Sequence, residues 1–195
     1  MGRDPDRPLR VDAQRNRDKI LATAVRVFGQ DGLDANFDRI AKEAGVGTGT
    51  LYRNFPTREA LVEAAYRSEL ARLCDAAPRL LATLPATAAL RAWMGGFIDY
   101  AVAKRGMADA LRAVVASGGD PYSHTQEMLR ASVTSLLAGG IASGSIRDDV
   151  CAPDVLAGLT GIALATAGPE QREQAERLLD LMMDGLHHLH QKGKP

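Results

Sequence analysis

The spacing of apolar residues predicts helices along the whole chain. From Ile20, apolar residues return at offsets of one, four, seven and eight, so they share one face of a helix over about 12–30. Two shorter helices follow at 37–44 and about 47–55, and a fourth runs from Thr57 to about residue 74, before Pro78. Five more are predicted at 87–104, 106–117, 122–140, 153–166 and 169–190. No strand-like alternation occurs, so the predicted fold is all-α with about nine helices.

The stretch FDRIAKEAGVGTGTLYRNF, at 37–55, predicts a helix-turn-helix. Gly45 lies where the chain must bend and can adopt positive φ without a Cβ clash. Ala41 is small enough for two helix backbones to approach, while Val46 and Leu51 bury the corner. Because the second helix of such a corner enters the DNA major groove, this pattern indicates DNA binding.

Polar side chains on the exposed face of that second helix can bond base edges or phosphates. They are Thr48, Thr50, Tyr52, Arg53 and Asn54. The two threonines lie near the helix N-terminus, which meets base edges in such motifs, whereas Tyr52 and Asn54 suit phosphate contacts. Neighbouring residues complete the predicted DNA-binding set: Arg39, Lys42, Thr57 and Arg58. The alternative is a helical corner with ordinary solvated side chains.

The order of these motifs resembles the N-terminal domain of the tetracycline-repressor (TetR) family. A first helix, IAKEAGV, GTLYRNF and then Thr-Arg-Glu-Ala-Leu follow one another over about 16–70. The resemblance implies a homodimeric transcription factor, usually a repressor released by a small molecule. Family members commonly carry serine followed by lysine or proline after the AGV turn, where this chain has Gly47-Thr48. A lysine that contacts bases or phosphates is therefore missing, and glycine caps the helix less directly.

These patterns predict four regions. We expect a disordered tail at 1–10, where Arg, Asp and Pro alternate without periodicity, and a three-helix helix-turn-helix DNA-binding domain at 11–57. A connecting helix at 58–76 leads to a C-terminal ligand-binding, regulatory and dimerisation domain at 77–195.

The amino-acid composition is typical of a helical globular protein but does not identify a binding partner. Of 195 residues 46% are hydrophobic and only 5% aromatic. Lys+Arg and Asp+Glu each number 24, so DNA binding would depend on a local basic surface. The uncharged segment 155–168 is shorter than the about 18 residues of a membrane-spanning helix. Since no signal-peptide pattern opens the chain either, we expect a cytoplasmic protein.

Large apolar residues recur at helical spacing in the second half. They are Trp93, Met94, Phe97, Tyr100, Met107, Leu111 and Val114. Such a stripe forms either a buried core or the lining of a small-molecule cavity, and both interpretations stay open. We take these residues as the candidate ligand-binding set for an unknown effector. The run Lys104-Arg105-Gly106-Met107 after them also resembles one subgroup of TetR C-terminal domains.

The last two predicted helices carry more apolar surface than one chain of this size buries easily. Small residues such as Gly158 and Gly161 permit close helix contact in 153–166, and leucines give 169–190 a broad apolar face. We therefore expect a homodimer through these helices. Its two-fold symmetry would match a palindromic operator in double-stranded DNA.

The sequence contains no catalytic or metal-binding constellation. Serines, histidines and carboxylates show no nucleophile–base spacing, and nothing nearby completes a ligand set with His187, His188 and His190. Cys74 and Cys151 match no metal-site spacing. We expect no enzymatic activity, no cofactor, no metal and no membrane partner. The predicted function is transcriptional regulation, most commonly repression relieved by a ligand; the alternative is a helical interaction module without operator binding.

Overall fold

The computed structural model describes residues 7–187. Over that range the chain is all-α, as predicted, and contains nine α-helices. They are α1 (Arg7–Asp31), α2 (Phe37–Ala44), α3 (Thr48–Asn54), α4 (Arg58–Thr83), α5 (Ala86–Gly106), α6 (Ala108–Ala116), α7 (Thr125–Ala142), α8 (Ala152–Ala165) and α9 (Arg172–Leu186). Short 3-10 turns, Gly32–Asp34 and Pro169–Gln171, precede α2 and α9. Residues 1–6 of the predicted tail, together with His188 and His190, lie outside the described range.

Helix α1 begins earlier than the sequence pattern indicated. Residues 7–10, assigned above to a disordered tail, form its first turn. A proline at position 8 is compatible with this start, because N–H groups in the first turn of a helix have no intrahelical acceptor. The helix therefore includes four residues, 7–10, of the segment that the sequence pattern assigned to a tail.

Helix α4 continues through Pro78, although the prediction placed a break there and ended the connecting helix at 76. A proline inside a helix costs about 3 kcal/mol, because it removes a backbone hydrogen bond and crowds the preceding turn. Leu73 and Ala77 are buried before the proline, and Leu80 and Leu81 are half-buried after it. Burial along this face on both sides of Pro78 offsets the local cost.

The helices form two compact units. The N-terminal unit comprises residues 7–69 and 103–123, and the C-terminal unit comprises residues 70–102 and 124–187. Helices α4 and α5 each contribute residues to both units. The division differs from the predicted boundary at residue 77, since 103–123, with α6, belongs to the same unit as the helix-turn-helix.

In the N-terminal unit, α1 packs against α2, and α2 packs against α3. The core contains fully buried apolar side chains: Ile20, Ala24, Val27 and Phe28 from α1, Ile40 from α2, Leu51 from α3, and Leu61 and Ala65 from α4. Helix α6 packs on the turn after α1. At the end of α5, Gly106 lies so close to α1 that a Cβ there would be 2.8 Å from the Gly29 Cα. The helix-turn-helix is thus built onto a rigid helical base.

In the C-terminal unit, α7 packs against α8, and α8 packs against α9. Ion pairs join α5 to α9: Arg91 donates to carboxylate oxygens of Glu176 and Asp180, both at 2.7 Å. Arg172 donates to Glu176, also at 2.7 Å, and to Asp99. These ion pairs hold α9 against α5.

Candidate functional site

The corner between α2 and α3 has the geometry that the sequence predicted. Gly45 ends α2 with φ 69° and ψ 34°, in the left-handed region. Its N–H donates to the Lys42 carbonyl at 3.2 Å, and the Val46 N–H donates to the Ala41 carbonyl at 3.0 Å. These two bonds satisfy carbonyls at the helix end and reverse the chain. The predicted positive φ at Gly45 is confirmed.

Helix α3 presents a polar, exposed face. Thr48 and Arg53 are exposed, Thr50 and Asn54 are half-buried, and Tyr52 has half of its surface exposed. Leu51 is fully buried and anchors the helix in the core. The burial pattern therefore separates one anchoring residue from the polar side chains around it.

Several of these polar side chains are preorganised by bonds within α3. The Arg53 Nε donates to the Gly49 carbonyl at 3.0 Å, and the Asn54 Nδ2 donates to the Thr50 carbonyl at 2.8 Å. The Tyr52 ring packs on Phe37 of α2, with 5.3 Å between ring centroids. The tyrosine is thereby fixed in orientation while half of it faces solvent.

The start of α3 lacks a side-chain cap. Gly47 occupies the cap position with φ −69° and ψ 143°, and its carbonyl accepts from the N–H groups of Thr50 and Leu51. Because this backbone conformation is open to any residue, glycine is not required there by φ. The departure from the family pattern at Gly47 therefore removes a capping oxygen without changing the course of the chain.

Of the two predicted basic contacts on α2, only Lys42 is exposed and without a carboxylate partner among the described residues. Arg39 instead donates to Glu43 at 2.7 Å, to Gln30 at 2.9 Å and to Asp31. Hydrogen bonds from Arg39 lower the pKa of the Glu43 carboxyl, and a bond from Arg26 adds to the effect. Arg39 therefore joins α2 to the end of α1.

Arg58, at the start of α4, is also held by its own unit. Its Nη1 donates to the Ala35 carbonyl at 2.7 Å and its Nη2 to the Gly32 carbonyl at 3.2 Å. The guanidinium lies over the Phe28 ring, 5.3 Å from the centroid. Sequence reasoning missed these contacts. The Arg39–Glu43 spacing of four residues was a visible signal for an ion pair, but nothing local marks the carbonyls that Arg58 binds.

Thr57 caps α4, since its Oγ1 accepts from the Ala60 N–H at 3.1 Å. Its side chain is exposed on the outside of the helix-turn-helix. The predicted DNA-binding residues thus comprise an exposed group on α2, α3 and the start of α4, together with Arg39 and Arg58, whose side chains bind within the unit.

The candidate ligand-binding residues are divided between the two units. Met107, Leu111 and Val114 are buried in the N-terminal unit. In the C-terminal unit Trp93 is 1% exposed and donates its indole N–H to the Leu73 carbonyl at 2.9 Å. Met94 and Tyr100 are also buried. Most of the candidate ligand-binding residues are therefore buried core residues.

Phe97 differs from the others because it lines an open groove between α5, α7 and α8 with a volume of about 720 Å³. The remaining lining residues are Gln126, Leu129 and Arg130 of α7 and Pro153, Leu156, Ala157, Thr160, Gly161 and Leu164 of α8. The volume is within the range of roughly 300–1,000 Å³ typical of small-molecule sites. The groove belongs entirely to the C-terminal unit.

The last two helices expose an apolar surface. Leu164 of α8 is 68% exposed and Leu181 of α9 is 67% exposed. Gly158 permits close packing of the pair, because a Cβ there would lie 3.0 Å from the Met182 methyl carbon. Leu164 and Leu181 are the two most exposed large hydrophobic side chains in the part of the chain that the structure describes.

Comparison with known proteins identifies both parts of the chain. Residues 20–65 match the family described as bacterial regulatory proteins, tetR family, and residues 85–188 match the transcriptional regulator SbtR-like C-terminal domain. The chain belongs to the TetR family. It is a helix-turn-helix DNA-binding transcriptional regulator, and the family is not enzymatic.

Solved structures of other TetR-family proteins are similar over nearly the full chain. The TetR transcriptional regulator SCO0520 from Streptomyces coelicolor is 64% identical, with a TM-score of 0.87 over 89% of this chain and 99% of that one. A TetR regulatory protein from Mycobacterium vanbaalenii is 35% identical, with a TM-score of 0.77 over 93% and 100%. A curated HTH-type transcriptional regulator of Staphylococcus aureus is 43% identical over 54 residues, which is 27% of this chain and only 29% of that relative.

Two kinds of feature are absent from residues 7–187. No helix in this range is both long and apolar enough to cross a membrane. No three histidine, cysteine or carboxylate side chains in the same range lie where they could share a metal ion.

Proposed function

We propose that this TetR-family regulator is a repressor that binds a palindromic operator as a homodimer and leaves it when a small-molecule effector binds the C-terminal unit. The DNA-binding part of this proposal rests on the exposed polar face of α3. The turn between α2 and α3, with Gly45 in the left-handed region, positions that helix. The target is double-stranded DNA, and the place of action is the cytoplasm.

In this proposal the exposed residues contact DNA directly. Thr48 and Thr50 reach base edges from the start of α3, and Lys42, Tyr52, Arg53, Asn54 and Thr57 contact phosphates or sugars. Arg39 and Arg58 act as positioning residues, because their guanidinium groups are bound to partners within the unit. Arg39 holds α2 against α1, and Arg58 fixes the turn that precedes α2.

Homodimerisation is supported by the exposed apolar surface of α8 and α9, which a second copy would cover. A two-fold dimer places two α3 helices before half-sites about 34–36 Å apart. An effector that favours a different spacing of the two helices would release the operator by population shift. A coupling of about 1–3 kcal/mol between the sites suffices for induction.

A helical interaction module without operator binding is the second candidate. Two observations favour it: the cap position of α3 holds Gly47, which offers no side-chain oxygen, and the net charge is zero. Its partner would then bind the apolar surface of α8 and α9.

Selection of binding sites from random duplex DNA by the purified protein separates the two candidates. The proposed function expects enrichment of one palindrome whose half-sites are about one helical turn apart. A mobility shift on that palindrome should weaken steeply with salt. Failure to enrich any sequence, with only weak and sequence-independent binding at low salt, would favour the interaction module.

A further inference from the structure

The described residues that line the groove between α5, α7 and α8 carry positive charge and no negative charge. Among the described residues that line it, Arg130 is the only ionisable one and none is a carboxylate. The neutral polar groups in the wall come from Gln126 and Thr160, and the rest of the lining is aliphatic or aromatic apart from Gly161. The Thr160 hydroxyl donates to the Leu156 carbonyl, whereas no hydrogen bond to a described residue engages the Gln126 amide. A mostly apolar groove with one cation and one amide donor complements an apolar molecule that carries a single negative charge.

Arg130 differs from Arg91 and Arg172 of the same unit in having no carboxylate partner among the described residues. Arg91 and Arg172 are both bound to carboxylates. Arg130 is exposed, and none of the described residues forms an ion pair or a hydrogen bond with its side chain. Its guanidinium therefore keeps its donors available for a carboxylate, which it can bind through two parallel hydrogen bonds.

The position of Arg130 on α7 directs it to the groove rather than to an isolated point on the surface. Gln126, Leu129 and Arg130 are separated by three and four residues, so they share one face of the helix. Leu129 is buried, whereas the other two are exposed, which places the polar groups at the groove rim above an apolar floor. Phe97 and Leu156 add further apolar surface to the lining of the groove.

We infer, on the basis of the effector-released regulator proposed above, that this groove binds an amphipathic carboxylate. The carboxylate accepts hydrogen bonds from Arg130 and from the side-chain amide of Gln126, and the hydrocarbon part lies along Phe97, Leu129 and Leu156. The Thr160 hydroxyl already donates to the Leu156 carbonyl at 2.7 Å and adds no donor to this set. Neutral and cationic molecules of the same shape bind less well. Arg130 is the residue that determines this specificity.

Trp93 provides a reporter within the protein. It is the only tryptophan, and its ring centroid lies 6.0 Å from that of Phe97, which lines the groove. Titration of the full-length protein with octanoate and phenylbutanoate, and with the matching amides octanamide and phenylbutanamide, should change its fluorescence and yield dissociation constants. Calorimetry provides a second, independent readout of the same titrations.

For the wild-type protein we expect each carboxylate to bind roughly tenfold more tightly than its amide, as a charge-assisted hydrogen bond of about 1.5 kcal/mol or more implies. Arg130→Gln should remove that preference and leave amide binding unchanged. Arg79→Gln, which removes an exposed charge elsewhere in the same unit, should retain it. Thermal unfolding of both variants checks that the fold is intact.

Equal binding of acid and amide to the wild type, a preference that survives Arg130→Gln, or no saturable binding of any of the four probes would overturn the inference. Probe binding that appears only when Leu181→Glu separates the dimer would show that a second copy occupies the groove, which also overturns it. Release of operator DNA is measured separately. Arg130-dependent binding without release would contradict effector-controlled repression but not the carboxylate site.

Discussion

Arg39 and Lys42 lie three residues apart on α2 and differ in what surrounds them. The Arg39 guanidinium donates hydrogen bonds to Glu43, Gln30 and Asp31, all within its own unit. Lys42 is exposed and has no carboxylate partner within 7–187. Two basic residues that look equivalent in the sequence are therefore assigned different roles, one in positioning α2 and one in contacting DNA.

Lys42→Ala tests the assigned DNA contact. The variant should bind the selected operator more weakly, and the slope of log K against log salt should fall by about 0.9, the value of one phosphate contact. Its unfolding midpoint should match the wild type, because the exposed side chain forms no hydrogen bond or ion pair with a described residue. Arg79→Ala removes an exposed charge from the other unit and should leave the slope unchanged. An unaltered slope for Lys42→Ala would remove Lys42 from the interface.

Gly45 is the residue whose conformation the corner requires. A Cβ there would meet no atom within 4 Å, so Gly45→Ala introduces backbone strain at φ 69° and no steric clash. The expected loss of unfolding free energy is about 1–2 kcal/mol. Gly45→Asn should lose less, since asparagine tolerates the left-handed region better than alanine. Urea unfolding measures both, and equal stability of Gly45→Ala and wild type would contradict the role of φ.

At the scale of elements, α1 and the end of α5 approach closely where Gly106 faces Gly29. A Cβ at Gly106 would lie 2.8 Å from the Gly29 Cα and 3.4 Å from its carbonyl oxygen, and both of these are backbone atoms. A Cβ at Gly29 would meet nothing within 4 Å. The contact is therefore asymmetric, because only one of the two positions forbids a side chain.

Gly106→Ala should destabilise the protein by about 1–3 kcal/mol, because neighbouring backbone must move to accept the methyl group. Gly29→Ala is the matched control. It replaces a helical glycine of α1 without a clash and should stabilise the protein by up to about 1 kcal/mol. Chemical unfolding of the two variants gives the comparison. Similar effects of the two substitutions would show that the close approach does not control stability.

The ion pairs between α5 and α9 make stability depend on pH. Hydrogen bonds from Arg91, and secondarily from Arg172, hold the pKa of Glu176 below its ordinary value of 4.5. A carboxyl with a lowered folded-state pKa stabilises the fold above its unfolded-state pKa, and this contribution is lost as the pH falls through the folded-state value.

Glu176→Gln should therefore be less stable than the wild type near neutral pH, and the difference should shrink as the pH falls below 4.5. Urea unfolding at a series of pH values measures it. Asp75→Asn, an exposed carboxylate of α4 in the same unit, is a control whose difference from the wild type should stay small. A constant deficit for Glu176→Gln at all pH values would mean that the charge is not responsible.

At the scale of the whole molecule, the homodimer proposed above is supported by the exposed leucines of α8 and α9. Leu181→Glu should place a charge in the proposed dimer interface and shift the protein to monomers, as sedimentation equilibrium at micromolar concentration would show. Leu84→Glu, at a leucine with 39% exposure beyond the end of α4, should remain dimeric. A wild-type protein that sediments as a monomer would refute the interface.

The sequence by itself determined the helical class, most helix positions, the helix-turn-helix and the TetR family. These features depend on local information: apolar spacing at 3.6 residues per turn, breaks at glycine and proline, and the contiguous motifs IAKEAGV and GTLYRNF. Where that local information was ambiguous, as at Pro78 and residues 7–10, the predicted helix boundary was wrong.

Only the tertiary structure decided which polar side chains are free to act and which residues share a unit. Arg58 binds carbonyls 23 and 26 residues away, and Arg130 faces a groove whose other walls come from α5 and α8. Segment 103–123 belongs to the same unit as the helix-turn-helix, although the residues just before it, 70–102, belong to the C-terminal unit. Contacts between residues far apart in sequence arise from packing, which no local pattern encodes. The sequence therefore identified Arg58 as a candidate without its partners, and it gave no reason to select Arg130.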